Sequence, residues 1–294
     1  MDDEMKKGLL ECGNINDYGS FMDDIAEVTP VTLSWHKIHA YSKKTRRLIL
    51  DDISGIAKSG QLIAFMGASG AGKTTLLNAL LSRNLKGLRV GGEVIVNGLN
   101  IGACITAISG YVQQEELFIS SLTVREHLLL QSYLRLPRQF SKEDRQKEVS
   151  KVIMLFGLSK CQNNRIGTVG VRKGISGGEA KRLALATETL NNPSVLFCDE
   201  PTSGLDSYMA ESIVEILLKL ARRGRTVICT IHQPTSILFN MFDRVLFIAR
   251  GHVAYIGPPS KVLLFLEKNG YPCPNEYNPA DMVVQVIWPN GIIL

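Results

Sequence analysis

The sequence is poor in features that would mark several classes of protein. No run of about 20 mostly apolar residues occurs, which is the length a membrane helix needs. The longest stretch without a formal charge, 94–114, is broken by Asn97, Gly98, Asn100, Gly102, Ser109 and Gly110. Charge of one sign is also scarce: 33 basic against 28 acidic residues leave a net +5, with no basic stripe interleaved with aromatics. That balance reads as a solvated surface and gives no reason to expect a nucleic-acid partner. The six cysteines include no CxxC pair and no metal-ligand spacing, which fits a reducing compartment. Two of them, Cys198 and Cys229, lie in apolar runs and read as small buried residues. The N-terminus, "MDDEMKKGLLECGNINDYGS", has no apolar core followed by a cleavage site, so no secretory signal is read there. Residues 1–30 are expected to form a poorly ordered tail. No internal repeat is apparent.

What is present is enough chain, 294 residues at 45% hydrophobic, to bury a sizeable core. Strand-like runs fall at 31–41, 61–67, 92–98, 108–114, 194–200 and 226–232, with a hairpin at 244–257 turning near Arg250-Gly251. Helical patterns fall at 73–81 and at 206–220, the latter with Met209, Ile213, Ile216, Leu217 and Leu220 on one face. Two more helices lie within 123–156, the second starting at Ser141 with Glu143 and Asp144 behind it. Strands alternating with helices predict an α/β fold, an open and mostly parallel sheet with helices on both faces. A helical block from about 115 to 190 interrupts the alternation and reads as an inserted subdomain.

"GASGAGKTT", residues 67–75, fits G-x-x-x-x-G-K-[ST] between a buried strand and a helix. Glycines let backbone amides approach an anion, and the following helix offers its positive end. The loop Gly67, Ala68, Ser69, Gly70, Ala71 and Gly72, continued by Lys73, Thr74 and Thr75, is therefore expected to hold a nucleotide. Lys73 would reach the β- and γ-phosphates and Thr74 would ligate Mg²⁺.

"SVLFCDEPTSGLDS", residues 194–207, supplies a complement. Asp199 ends an apolar strand and is placed to hold Mg²⁺. Glu200 beside it is placed to orient or deprotonate an attacking water. Alone, an Asp-Glu pair after a strand is more often a loop or capping carboxylate; the phosphate loop changes that balance. His232, in "TIHQP", follows another apolar strand. A lone histidine there is usually structural, but ligands in open α/β sheets gather where the strands end, so His232 is read as a γ-phosphate contact. Gln114, after "GYVQ", carries little signal by itself.

"GISGGEAKRLALATETL", residues 174–190, opens a further helix. Ser176 and Glu179 have capping-box spacing, which is a sufficient structural account of those two. Gly177 and Gly178 weaken a helix start unless something must approach closely, and an exposed helix N-terminus is also an anion site.

In this order "GASGAGKTT", "YVQQEE", "ISGGE", "LFCDEPTSGLD" and "TIHQP" resemble the nucleotide-binding domain of ATP-binding cassette proteins, over roughly residues 31–287. Within that superfamily the chain is most similar to the White-type half-transporters of subfamily G, through "ISGIAKSGQLIAFMGASGAGKTTLLNALL", "YVQQEELFISSLTVREHLLLQ", "ISGGEAKRLALATE" and "YNPADMVVQV". The resemblance implies a P-loop NTPase core of RecA type, an N-terminal antiparallel β part and the inserted helical subdomain. It implies ATP and Mg²⁺ as ligands and a second such domain, facing the first head to tail. Ser176, Gly177, Gly178 and Glu179 would then serve the γ-phosphate of the partner's ATP, and Asp206 would bridge the two chains. Gln114 would sit near Mg²⁺ and the attacking water. Tyr41, or Trp35, would stack on adenine. Ala180 departs from the family, which often has arginine there, and this would weaken interface ion pairs.

The same resemblance implies a membrane domain after this one and a place on the cytoplasmic face of a membrane. No membrane helix is read here, so the chain reads as a fragment or a short isoform, soluble or peripheral by itself. The match fades after about Val286, leaving 288–294 as a divergent tail. Two functions follow: a motor driving export of lipids, sterols, pigment precursors or other amphipathic molecules, or a chain that binds ATP and regulates full-length subunits without transporting. Soluble cassette ATPases of DNA repair or translation would need coiled coils, zinc-ligand cysteines or a second cassette, and none is read in the sequence.

Overall fold

The computed structural model describes residues 28–167, 174–274 and 277–290, with side chains in the last helix described as far as Val286. In chain order the elements are β1 (Leu33–Ser42), β2 (Leu48–Ala57), β3 (Leu62–Met66), α1 (Lys73–Leu80), β4 (Leu88–Val96), the single turn α2 (Ile105–Ile108), β5 (Ser109–Val112), α3 (Val124–Arg135), α4 (Lys142–Leu155) and α5 (Gly177–Thr189). There follow β6 (Val195–Cys198), α6 (Ser207–Arg222), β7 (Thr226–Thr230), α7 (Ser236–Met241), β8 (Arg244–Ala249), β9 (His252–Gly257), α8 (Val262–Lys268) and α9 (Pro279–Asn290). Residues 118–191 form one compact unit; residues 28–117 with 192 onward form the other.

The larger unit is α/β. Its main sheet runs β5-β6-β7-β3-β8-β9, parallel except for the last pair. Every residue of β3, β6 and β7 is buried. Such strands need continuous apolar runs, and "LIAFM", "VLFC" and "TVICT" supply them. Cys198 and Cys229 lie in this interior, fully buried. Because β3, β5, β6 and β7 run the same way, the segments that follow them leave from one edge.

A second, antiparallel sheet, β2-β1-β4, packs its apolar residues into the same core. Trp35 is fully buried there, edge-on to Phe65 at 5.8 Å. Gly55 opposite leaves it room: a Cβ at that position would come within 2.5 Å of the indole. Strand β2 is absent from the sequence reading for a physical reason. Its alternation breaks at Asp51-Asp52, where Asp52 is left-handed (φ 49°) and the pairing with β1 shifts register.

Helix α6 buries Ile213, Leu217 and Leu220 as expected, but Met209 and Ile216 are only half-buried, and Ala210, Val214 and Ala221 complete the face. The β8–β9 hairpin turns on left-handed Arg250 and Gly251. The described residues begin at Val28, three residues before the expected boundary. At the other end α9 reaches Asn290, beyond the expected limit of 287. Of the expected tail at 1–30, residues 1–27 lie outside the described residues, as do residues 291–294.

The smaller unit is helical. Among the described residues its three helices all start on reciprocal capping boxes: Thr123 with Glu126, Ser141 with Asp144, and Ser176 with Glu179. Arg135 clasps Glu188 with two bonds, at 2.9 and 2.5 Å. The buried guanidinium of Arg145 donates to the carbonyls of Ser132 and Pro137. Among the described residues no helix is long and apolar enough to cross a membrane.

Candidate functional site

The segments leaving the shared edge of the main sheet carry most of the residues singled out by the sequence. The loop between β3 and α1 turns on left-handed glycines. Gly67 (φ 148°) lies against the carbonyl of Ile248, where a Cβ would collide with it. Gly72 (φ 106°) is the N-cap of α1, and a Cβ there would come 2.6 Å from the Leu50 side chain. Only glycine fits both positions. The first turn of α1 holds no acidic residue, so the positive end of the helix is not neutralised by its own side chains.

Lys73 is buried and folds back on the loop, donating to the carbonyls of Gly67 (2.7 Å) and Ala68 (3.1 Å). Burial holds its pKa below the ordinary lysine value, while the nearby charges of Glu200 and Asp199 pull it back up. An ammonium whose hydrogen bonds go to two neutral carbonyls is poised for a stronger acceptor. Ser69 and Gly70 are exposed at the tip, and Ala71 is buried beneath it.

The Thr74 hydroxyl donates to Asp199 Oδ1 at 3.0 Å. Asp199 itself is buried. A hydroxyl and a carboxylate side by side are hard oxygen donors of the kind Mg²⁺ takes together with substrate phosphates. No trio of His, Cys, Asp or Glu clusters as a metal site among the described residues, so any ion here would complete its shell with phosphate and water.

Glu200 follows with a left-handed backbone (φ 47°), an uncommon state for a non-glycine residue. Its carboxylate accepts from Gln114 Nε2 at 2.8 Å. Gln114 and Glu200, 86 positions apart, are thus brought into contact, as the pairing of β5 with β6 makes possible. His232 is exposed just beyond β7, on the same edge.

Sequence reasoning missed the residue at the centre of this set. Thr230 ends β7, fully buried. Its hydroxyl donates to Asp199 Oδ1 at 2.6 Å and accepts from the Glu200 amide at 2.8 Å. One side chain therefore fixes the Asp199 carboxylate and the strained Glu200 backbone together. The only available signal was a polar residue closing an otherwise apolar strand beside His232. Tyr111 was missed as well. Its hydroxyl makes a long bond of 3.4 Å to Asp199 Oδ2, and the Arg83 guanidinium lies over its ring. Burial and the Asp199 charge push the phenol pKa well above its usual value.

Other residues lie elsewhere or serve a local role. Asp206 is the N-cap of α6 and accepts from the Met209 amide at 2.8 Å. Tyr41 is 38% exposed at the end of β1, beside His39. Trp35 is corrected: buried against Phe65, it has no face to offer a ligand. In the helical unit the Ser176 hydroxyl and amide both bond Glu179 Oε2, at 2.9 and 2.7 Å. Glu179 also bonds the Cys161 thiol, and burial raises the pKa of that thiol to about 11. Gly177 is exposed and Gly178 buried.

Comparison with known proteins bears on this arrangement. The profile described as "ABC transporter" matches residues 50–203, which contain the glycine loop, Gln114, Ser176 and the Asp199-Glu200 pair. The chain belongs to the ABC transporter family. A second profile, "ABC-2 type transporter", matches residues 232–293. The cassette is 49% identical over 262 residues to the ABC transporter ATP-binding protein/permease wht-3 of Caenorhabditis elegans, covering 87% of this chain and 42% of that protein. It is 51% identical over 245 residues to Protein white of Drosophila melanogaster, covering 82% and 36%. With ABC transporter G family member 7 of Arabidopsis thaliana it shares 42% identity over 281 residues, covering 90% and 38%. These relatives make it an ATP-binding domain of the G family, White type. The chain spans well under half the length of each of these relatives.

Proposed function

We propose that this cassette binds and hydrolyses ATP as the motor of a G-family exporter of amphipathic molecules, acting at the cytoplasmic face of a membrane. The observation that carries the reading is the hydrogen-bonded set Thr74, Asp199, Thr230, Glu200 and Gln114, joined beside a loop whose lysine donates to two backbone carbonyls. Lys73 leaves the Gly67 and Ala68 carbonyls for the β- and γ-phosphates. Thr74 and Asp199 would hold Mg²⁺, which would supply charge neutralisation at the phosphates. Glu200, held by Gln114, accepts a proton from water as that water attacks the γ-phosphorus. The bond to the β-phosphate oxygen breaks, giving ADP and phosphate. His232 contacts the γ-phosphate and Tyr41 stacks on adenine.

The reading extends to a head-to-tail pair of cassettes. In the pair, Ser176, Gly177 and Gly178 of one chain face the γ-phosphate bound by the other, Glu179 braces that helix end, and Asp206 lies across the interface. The membrane part belongs to a longer form or to a partner. Lipids, sterols and pigment precursors are the substrate classes. A purely regulatory chain is the less favoured reading, since the relatives named above include an ATP-binding protein/permease.

The test is ATP turnover by the purified chain against its concentration, beside Glu200→Gln. Turnover rising with the square of protein concentration, a fall of about a hundredfold or more in Glu200→Gln and an ATP-trapped dimer of that variant are expected. Turnover first-order in protein, or a Glu200→Gln variant as fast as the wild type, overturns the reading.

A further inference from the structure

The segment from Ile231 to Pro234 carries His232 and has two anchors. At its start the Ile231 amide donates to the Phe65 carbonyl at 3.0 Å. Between the anchors His232 is exposed, and Gln233 takes a left-handed backbone (φ 48°), uncommon for a residue with a side chain. At its end the carbonyl of buried Pro234 accepts from Asn278 Nδ2 at 2.7 Å. Proline has no amide of its own to tie that end down. Directly afterwards Thr235 caps α7, its hydroxyl accepting from the Leu238 amide and its carbonyl from the Phe239 amide.

Asn278 lies 44 positions away in sequence, immediately before α9. It is used on both faces of its amide. Oδ1 accepts from the Ala280 amide at 3.1 Å and so starts the helix, while Nδ2 reaches back to Pro234. Helix α9 itself lies on α7 and β8, and Val283 and Val284 line a small cavity with Gly67 and Ala68 of the phosphate loop. Start of helix and hold on the histidine segment are thus joined in one side chain.

We propose that Asn278 is a positioning residue for His232: its amide pins the Pro234 carbonyl and keeps His232 aimed at the γ-phosphate. This deepens the function proposed above and rests on its reading of His232. Chemistry separates the two jobs of Asn278. In Asn278→Asp the carboxylate still accepts from the Ala280 amide, so the helix start survives. It cannot donate to Pro234, and it sets a negative charge against that carbonyl. A residue that merely caps α9 would tolerate the change.

The experiment compares the full chain with Asn278→Asp, His232→Ala and the double variant, reading amide hydrogen exchange at Leu238 and Phe239 together with ATP turnover. The expected result for Asn278→Asp is exchange faster by about tenfold, since the part-buried Pro234 carbonyl has lost its donor. Turnover falls by a similar factor with KM for ATP changed less than twofold, and the double variant is no slower than His232→Ala. Unchanged exchange overturns the proposal. So does faster exchange with wild-type turnover where His232→Ala is slow, and so does additive loss in the double variant. If His232→Ala turns over ATP at the wild-type rate, the reading of His232 has failed; in that case, or if no chain turns over ATP, the exchange result alone decides whether Asn278 holds the segment.

Discussion

The phosphate loop and the Ser176 helix end are both glycine-opened helix starts, and they are built differently. Around Lys73 the polar contacts are long in sequence: Thr74 meets Asp199 across 125 positions and Glu200 meets Thr230 across 30. The groups come from the start of α1 and from the ends of β5, β6 and β7, and these long-range contacts form only when the sheet does. At Ser176 the contacts are three residues long, between a serine and a glutamate of one helical turn. A loop assembled from distant strands can hold a lysine and a carboxylate in fixed opposition. A capped helix end supplies only a dipole and open backbone, which suits a ligand brought to it by something else.

The difference can be pressed from its largest effect downward. Lys73→Ala removes the charged donor from the loop, and ATP affinity is expected to fall by about a hundredfold in equilibrium binding; Ser176→Ala should leave the affinity of the isolated chain within about twofold. Thr230→Val keeps shape and removes both bonds of the hydroxyl. It should lower kcat by about tenfold to a hundredfold and stability by about 1–3 kcal/mol in denaturant unfolding, with Thr230→Ser restoring most of both.

His127 offers a third break, this time in the helical unit. Buried beside Thr187 and Phe118, its pKa is lowered from 6.5 to about 4, chiefly by burial and then by the charge of Arg135. The unfolded chain binds the proton more tightly, so stability is lost as pH falls from about 6.5 toward 4. Between pH 7 and pH 5 this histidine accounts for roughly 2 kcal/mol of that loss. His127→Gln should therefore lose less stability than the wild type over that interval in parallel urea titrations. The smallest effect belongs to Ser176→Ala, which removes one N-cap and should cost about 1 kcal/mol of stability, read as a shift of the urea midpoint.

Much of this was legible in the sequence because the signals were local. Glycine spacing, the apolar run before Asp199 and the Ser176–Glu179 interval each occupy fewer than ten residues and specify their own conformation. The alternation of strands and helices announced the parallel sheet. What stayed hidden depended on pairing between distant segments. Thr230 looks like any strand threonine until β6 and β7 lie side by side. Trp35 and Tyr41 sit at odd positions of one strand, and alternation alone would place both on one face. The bulges marked by left-handed Lys37 and Asp52 change the register between them, which leaves one aromatic in the core and the other partly exposed. Strand β2 was hidden by the same bulges.

The order of the main sheet has a consequence for the chain as it is made. Strand β3 leads into the phosphate loop, and its two neighbours are β7 and β8. Even the amide of Leu62 finds its acceptor only in Asp243, 181 residues later. At ordinary rates of synthesis, about 5–20 residues per second, that is a wait of roughly ten to forty seconds. Until β7 is made, for most of that interval, a wholly apolar strand has no native partner on either edge. The helical unit, complete by residue 191, can fold while β3 waits. Those five apolar residues are thus an aggregation-prone edge of the nascent chain until their neighbours arrive.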